Sequence, residues 1–299
     1  MKTFVISLES ETGHARRTRL FKQCAEAGLQ DVERIHGIDG TTLVDPKNHT
    51  TSWCGYMCPP SVVGCALSHM KTWHRMLEDE TLDAALILED DAVLVPDFVD
   101  RMTQALANVP TDYHVLFLGT GLSLRHPPRQ GISKLSYVTD MHAYILSRRG
   151  ARYLTDHITK VRHHIDQHLN WIGASMYAVE HDLAVQDGEA TSMNARSLGF
   201  PYTINSICNK IPCGRSHTLA YVLNCGSLRL GTYSHHIIIT NMVVLFCLLG
   251  CMGVPWEYVA AVVIVDLAVS PELHLKSMAT HLGAYVLGLQ LGKSLRFQK

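Results

Sequence analysis

Three acids in a row, Glu89-Asp90-Asp91, close the apolar run Ala84-Ala85-Leu86-Ile87-Leu88. Adjacent carboxylates repel one another, so an idle turn gains nothing from holding all three. A divalent cation relieves that repulsion. Mg2+ and Mn2+ prefer hard oxygen ligands, commonly one or two carboxylates together with substrate phosphates. Beside a nucleoside diphosphate such an ion acts as a Lewis acid for the charge of the departing group. The plain alternative is a solvated acidic strand end, and the triplet alone does not separate the two. A nucleotide triphosphatase also places an acid after an apolar strand, but it needs G-x-x-x-x-G-K-[ST]. The nearest match, Gly288 to Gly292-Lys293-Ser294, is one residue short and sits at the chain end.

A second group is Gly64-Cys65-Ala66-Leu67-Ser68-His69, followed by Trp73. Small residues open a helix there, and helix N-termini favour anions. Cys65 and His69 stand at i and i+4 and share a helical face. No second pair lies nearby at ligand-like spacing, and structural zinc takes four ligands, so a zinc site is not expected. Cys54 and Cys58 precede Pro59-Pro60 and are compatible with plain packing.

The elements that must carry these groups can be read from apolar periodicity. Strands are expected at residues 4–8, 32–36, 84–88, 115–118 and 143–146. Helices are expected at 17–28, 63–79, 99–107 and 149–157. Strands interleaved with helices argue an α/β layered fold for residues 1–205. Residues 206–299 differ in texture. The run 237–254 is almost continuously apolar, broken among polar side chains only by Thr240 and Asn241. As one helix it would span about 27 Å, just short of a hydrocarbon core. Trp256 and Tyr258 would then sit at the interface, while Asp266, His274 and His281 would be costly in lipid. The tail is therefore read as membrane-associated helices, or else as buried helices packed on the first domain.

Composition narrows the class. Of 299 residues, 47% are apolar and 18% charged, enough to bury a core. The net charge of −1 gives no global field for nucleic acid. Nine cysteines at irregular spacings argue against a disulfide framework and for free thiols in a reducing compartment. The first apolar stretch is too short for a signal-peptide core and meets Glu9 and Glu11 at once, so no secretory leader is expected and the catalytic region is placed in the cytoplasm.

These segments together resemble glycosyltransferase family 25, which includes lipopolysaccharide and lipooligosaccharide galactosyltransferases and collagen galactosyltransferases. The resemblance rests on Val5-Ile6-Ser7-Leu8 with Arg16-Arg17, on Arg34-Ile35-His36-Gly37-Ile38-Asp39-Gly40, and on the Gly64–His69 group (64–69). It continues through Leu88-Glu89-Asp90-Asp91 with Phe98, then Ala143-Tyr144-Ile145-Leu146-Ser147 with Gly150-Ala151, and ends near residue 192. It implies a GT-A type, Rossmann-like nucleotide-sugar-binding domain. It implies a UDP-sugar donor, Mn2+ or Mg2+, and transfer of a hexose, galactose first, to a glycan or glycolipid hydroxyl. Carried over, Asp91 is the chief metal ligand, with Glu89 and Asp90 beside it on metal or donor. Arg16 and Arg17 would meet the diphosphate, since guanidinium matches phosphate oxygens; otherwise they are a solvated first turn. Asp39 would hold the nucleoside, against an ordinary Asp-Gly turn. Ser68 and His69 would line the donor pocket, with a structural histidine as the alternative. Tyr144 reads as core or pocket wall. An inverting transfer needs a general base, and Asp166 in His163-His164-Ile165-Asp166-Gln167-His168 is the first candidate, Asp140 the second. The competing reading is a catalytically inactive, membrane-attached binding or assembly protein.

Overall fold

Strict alternation of side chains across a sheet needs apolar residues at every position when both faces are covered. The central runs of the first unit meet that demand, while the outer ones carry polar residues. In the computed structural model, which describes residues 1–187, 200–213, 217–224, 226–231, 236–269 and 275–296, they form the strands of one central sheet. These strands are β1 (Lys2–Ser7), β2 (Val32–His36), β3 (Ala84–Glu89), β5 (Val115–Phe117), β6 (Ser123–Arg125), β7 (Ile132–Val138), β8 (Ala143–Ser147) and β9 (Met176–Val179). A separate pair, β4 (Ala92–Leu94) and β10 (Ala184–Gln186), runs antiparallel beyond the acidic triplet. The sheet order is β2-β1-β3-β8-β5-β9-β7-β6. β1 is parallel to both β2 and β3, while β8 is inserted antiparallel between β3 and β5. This mixed sheet with helices on both faces is the expected Rossmann-like α/β domain.

Alternation splits the core in two. Phe4, Ile87, Phe117 and Tyr144 face a core shared with α3 (Pro60–Glu78), α5 (Arg148–His157) and α6 (Ile165–Trp171). Val5, Leu86, Leu88, Leu116 and Ile145 face the other, against α1 (Glu11–Glu26) and α4 (Phe98–Asn108). Each such side chain, fully buried, contributes roughly 1.5–3 kcal/mol. Ser10 caps α1 by accepting from the Gly13 amide, and Ser147 caps α5 by accepting from Gly150.

A short helix α2 (Ser52–Met57) precedes α3. It holds Cys54 and Cys58 one turn apart, with Cα atoms 4.6 Å from each other, and joins them in a disulfide. This corrects the expectation of free thiols for these two.

The chain divides into two units, residues 1–190 with 214–216 and residues 191–213 with 217–299. In the second unit the run 237–254 is not one helix. Thr240 and Asn241 split it into a strand, His236–Thr240, and a helix, Asn241–Met252. The Thr240 hydroxyl accepts from the Val243 amide and starts the helix, and Gly253 at φ 75° ends it. A helix of that length rises about 18 Å, and among the described residues no helix is long and apolar enough to cross a membrane. Asp266 is buried because it caps another helix: its carboxylate accepts from the Tyr202 and Thr203 amides and, at 2.7 Å, from the Thr203 hydroxyl. His281 is buried with Nδ1 2.7 Å from the Ser277 carbonyl, and His274 lies outside the described residues. Helices Asn241–Met252 and Leu275–Arg296 meet through glycines: a Cβ at Gly250 would stand 2.1 Å from the Tyr285 carbonyl oxygen, and one at Gly288 2.0 Å from that of Cys247.

Candidate active site

The acidic triplet leaves β3 at the carboxyl end of the parallel strands, where open α/β sheets bind ligands. Its backbone is held from both sides. The Glu89 amide donates to the His142 carbonyl at 2.8 Å and the Asp90 amide to Ile6 at 3.0 Å. Asp91 is buried: its Oδ2 accepts from the Gln186 side chain at 3.1 Å, and its Oδ1 has no hydrogen-bond partner. Burial, then the charge of Glu89, pushes the Asp91 carboxyl up to about 7, with Arg16 opposing. Burial also raises Asp90, against the Ser7 hydroxyl and Arg16. The triplet does not converge as three ligands among the described residues, but the orphaned Asp91 oxygen with Glu89 near it suits a hard cation that takes one or two carboxylates.

The paired arginines part company. Arg16 Nη1 stands 3.8 Å from Asp90 and 3.9 Å from Asp91. Arg17 is buried, donating to the Ser7 hydroxyl at 2.9 Å with its other nitrogen 2.9 Å from His14 Nδ1, so it ties α1 to the end of β1. The Asp39 carboxylate accepts from the Thr41 amide at 2.8 Å and hydroxyl at 2.7 Å, the arrangement of an Asx turn. Ser68 accepts from the Ile38 amide at 2.8 Å and donates to the Gly64 carbonyl at 2.7 Å. It latches the Asp39-Gly40 turn onto α3. Gly40 and Gly64 allow that approach, since a Cβ on Gly64 would lie 2.4 Å from the Ile38 carbonyl oxygen.

His69 is buried between two partners. Its Nδ1 lies 3.0 Å from the Tyr144 hydroxyl and its Nε2 2.9 Å from Glu89 Oε1. The Tyr144 oxygen also accepts from the Trp73 indole at 2.9 Å. The ligand atoms of Cys65, His69 and Glu89 lie within 4.8 Å of one another, three and not the four of a structural zinc site.

The two candidate bases are neighbours. The Asp140 amide donates to Asp166 Oδ2 at 2.8 Å, and Asp166 Oδ1 accepts from the Gln167 amide at 2.7 Å. Burial raises the Asp166 carboxyl; the His164 charge lowers it and Asp140 raises it. Asp140 takes the left-handed conformation, φ 69°, and its Oδ2 is 2.1 Å from where a Cβ on Gly121 would stand. Of the flanking histidines, burial lowers His163 and His168. Among the described residues these rings form no three-ligand metal group.

Cys65 lies beside His69 and Glu89. Burial first, then the charges of Glu89, Asp166, Asp91 and Asp140, push its thiol well above the usual range. The sequence pattern did not single out Gln186, Gly121 or Trp73 as partners here. Trp73 alone left a signal, because Cys65, His69 and Trp73 fall at i, i+4 and i+8 on one face of α3.

Comparison with known proteins identifies the family. The family described as "Glycosyltransferase family 25 (LPS biosynthesis protein)" matches residues 1–169, more than half of the chain. The chain belongs to glycosyltransferase family 25. It is 23% identical over 177 residues to a putative glycosyltransferase of Acanthamoeba polyphaga mimivirus, covering 52% of each. It is 34% identical over 115 residues to a glycosyltransferase 25 family member of Anopheles gambiae, covering 35% of this chain and 19% of that protein. The chain therefore spans about half the length of the first relative and about a fifth of the second. Among solved structures it is similar to HddC from Yersinia pseudotuberculosis, with TM-score 0.34 and 10% identity over 60% of this chain and 91% of that one. Mouse xyloside xylosyltransferase 1 gives TM-score 0.30 and 10% identity over 50% and 68%. The fold assignment rests on the strand order, not on these two likenesses.

Proposed function

We propose that this family 25 chain transfers a hexose, galactose first, from a UDP-sugar to a hydroxyl of a glycan or glycolipid, with inversion and with Mn2+ or Mg2+, in the building of lipopolysaccharide or another glycan. The observation that carries this reading is the buried Asp91 carboxylate, whose Oδ1 has no hydrogen-bond partner and whose Oδ2 lies 3.9 Å from the Arg16 guanidinium. That pair suits a metal and a diphosphate, and the adjoining Asp140 and Asp166 suit a proton acceptor.

Asp91, with its unpartnered Oδ1, and Glu89 would hold the ion, which supplies Lewis-acid stabilisation of the diphosphate charge. Arg16, already facing Asp90 and Asp91, adds a guanidinium for the phosphate oxygens. Asp90 flanks the donor, whereas His69 serves it from behind Glu89, and Arg17, Ser68 and Asp39 hold the loops that shape the pocket. At the acceptor the hydroxyl oxygen forms the new bond to the anomeric carbon as the bond to the diphosphate oxygen breaks. The electron pair of that bond leaves with UDP, and the hydroxyl proton passes to the Asp140–Asp166 pair. A carboxyl raised by burial is a better proton acceptor than an exposed one. Asp166 is engaged by two backbone amides, which also fix Asp140 at its side.

The second unit attaches to a membrane surface in this account. Leu245, Leu248, Met252, Trp256, Tyr258 and Ile264 are exposed apolar side chains on two adjacent helices, a pattern suited to interfacial contact. A panel of nucleotide sugars tested by thermal shift, with and without Mn2+, checks the donor. UDP-galactose should raise the melting temperature most, and only with the metal. A panel in which no UDP-sugar shifts the protein under either condition would sink the donor reading.

A further inference from the structure

We propose that Trp73, Tyr144 and His69 form a hydrogen-bond relay of fixed direction that positions the Glu89 carboxylate, with His69 held as its Nε2–H tautomer. The function of the relay rests on the reading of Glu89 as part of the metal and donor site.

With His69 neutral, each link has one chemically consistent direction. An indole N–H donates and never accepts, so the Tyr144 oxygen receives the Trp73 hydrogen at 2.9 Å. The Tyr144 hydroxyl keeps its own hydrogen, since burial pushes the phenol well above its usual range. Its other polar neighbour in this network is His69 Nδ1, at 3.0 Å. A carboxylate only accepts, so the 2.9 Å contact from His69 Nε2 to Glu89 Oε1 needs a hydrogen on Nε2. A neutral imidazole carries one N–H and one bare nitrogen. With the hydrogen on Nε2, Nδ1 is bare and accepts from Tyr144, and every donor is used. The other tautomer sets two hydrogens against each other at Nδ1 and two acceptors against each other at Nε2.

The elements make the relay rigid. His69 and Trp73 are one turn apart on α3, and both are buried, at 1% and 0% exposure. Tyr144, also 0% exposed, lies on β8 directly opposite Ile87 of β3. Ile87 and Glu89 point to the same face of the sheet, so Tyr144 and Glu89 are diagonal neighbours and His69 bridges them from the helix. Three residues thus aim a carboxylate without touching any substrate: they are positioning residues. Loss of such a partner behind a ligand typically costs about 10–100-fold in metal affinity or activity.

Two readouts on the full chain test this. In 15N-labelled protein, two-bond proton–nitrogen correlations report each imidazole's hydrogens, with His69 assigned by its absence in His69→Gln. The relay requires the Nε2–H tautomer; any other proton arrangement on that ring would overturn it. The second readout is the Mn2+ concentration that half-saturates the donor-dependent thermal shift. Tyr144→Phe and His69→Leu should raise it about 10–100-fold, while His69→Gln, which keeps an N–H toward Glu89, should recover most of the loss. Unchanged midpoints in both Tyr144→Phe and His69→Leu would overturn the positioning role. A wild-type protein with the Nε2–H tautomer and no Mn2+ response would instead sink the metal reading of Glu89 and leave the relay supported.

Discussion

At Asp91 the fold works against a charge: the carboxylate is buried, Glu89 is beside it, and one oxygen has no hydrogen-bond partner. Its pH dependence follows from a folded pKa raised to about 7. Below the unfolded carboxylate range both states hold the proton and Asp91 contributes nothing. As pH rises toward about 7 the unfolded chain releases the proton while the fold keeps it, so metal-free stability falls; above about 7 the penalty is complete. Asp91→Asn should therefore raise the metal-free melting temperature in alkaline buffer and change it little in acid, at about 2–4 °C per kcal/mol relieved. Calorimetry at two pH values checks this. For the proton acceptor, Asp166→Asn should keep the donor thermal shift and lose at least about 100-fold in transfer. Unchanged turnover would move the role to Asp140. The acids were legible in the sequence as residue types, because a carboxylate triplet advertises its own repulsion. The duties of Ser68 and Arg17 were not. Ser68 answers to an amide 30 residues away, and Arg17 to a hydroxyl on the preceding strand. No local pattern records such partners.

Among the elements, two glycines set the site. Gly64 lets α3 meet the Asp39-Gly40 turn, and a methyl there would stand 2.4 Å from a backbone oxygen and 2.5 Å from a backbone nitrogen. Gly64→Ala should destabilise the protein by about 1–3 kcal/mol in urea unfolding. Gly121→Ala would place its methyl 2.1 Å from the Asp140 carboxylate. It should cost transfer through displacement of Asp140 while the donor-dependent thermal shift persists; a KM and kcat comparison separates the two. Elements with strong periodicity were readable: β2 and β8 fall where the apolar runs put them. The short strands β6, β9 and β10 were missed, since three or four residues carry too little pattern. The run 237–254 misled for a different reason. Apolar content does not distinguish strand from helix, and the break was encoded in Thr240, a helix cap.

For the whole molecule, the α/β class was readable because apolar strand runs alternate with helical stretches, and the central strands β3, β5 and β8 are apolar and buried almost throughout. The mixed order, with β8 antiparallel between β3 and β5, depends on pairings between distant segments. The exposed apolar helices predict that the protein floats with liposomes, and that replacing Leu248 and Ile264 with Asp reduces flotation several-fold without loss of transfer to a soluble acceptor. The central claim is that Glu89 and Asp91, with the Asp140–Asp166 pair, make a metal-assisted hexosyltransferase. Release of UDP from UDP-galactose, measured with and without Mn2+ in the presence of a glycan acceptor, tests it most directly. The account predicts acceptor-dependent release that needs the metal and is lost in Asp91→Ala while the fold persists. Full release in Asp91→Ala, or release indifferent to Mn2+, would contradict it.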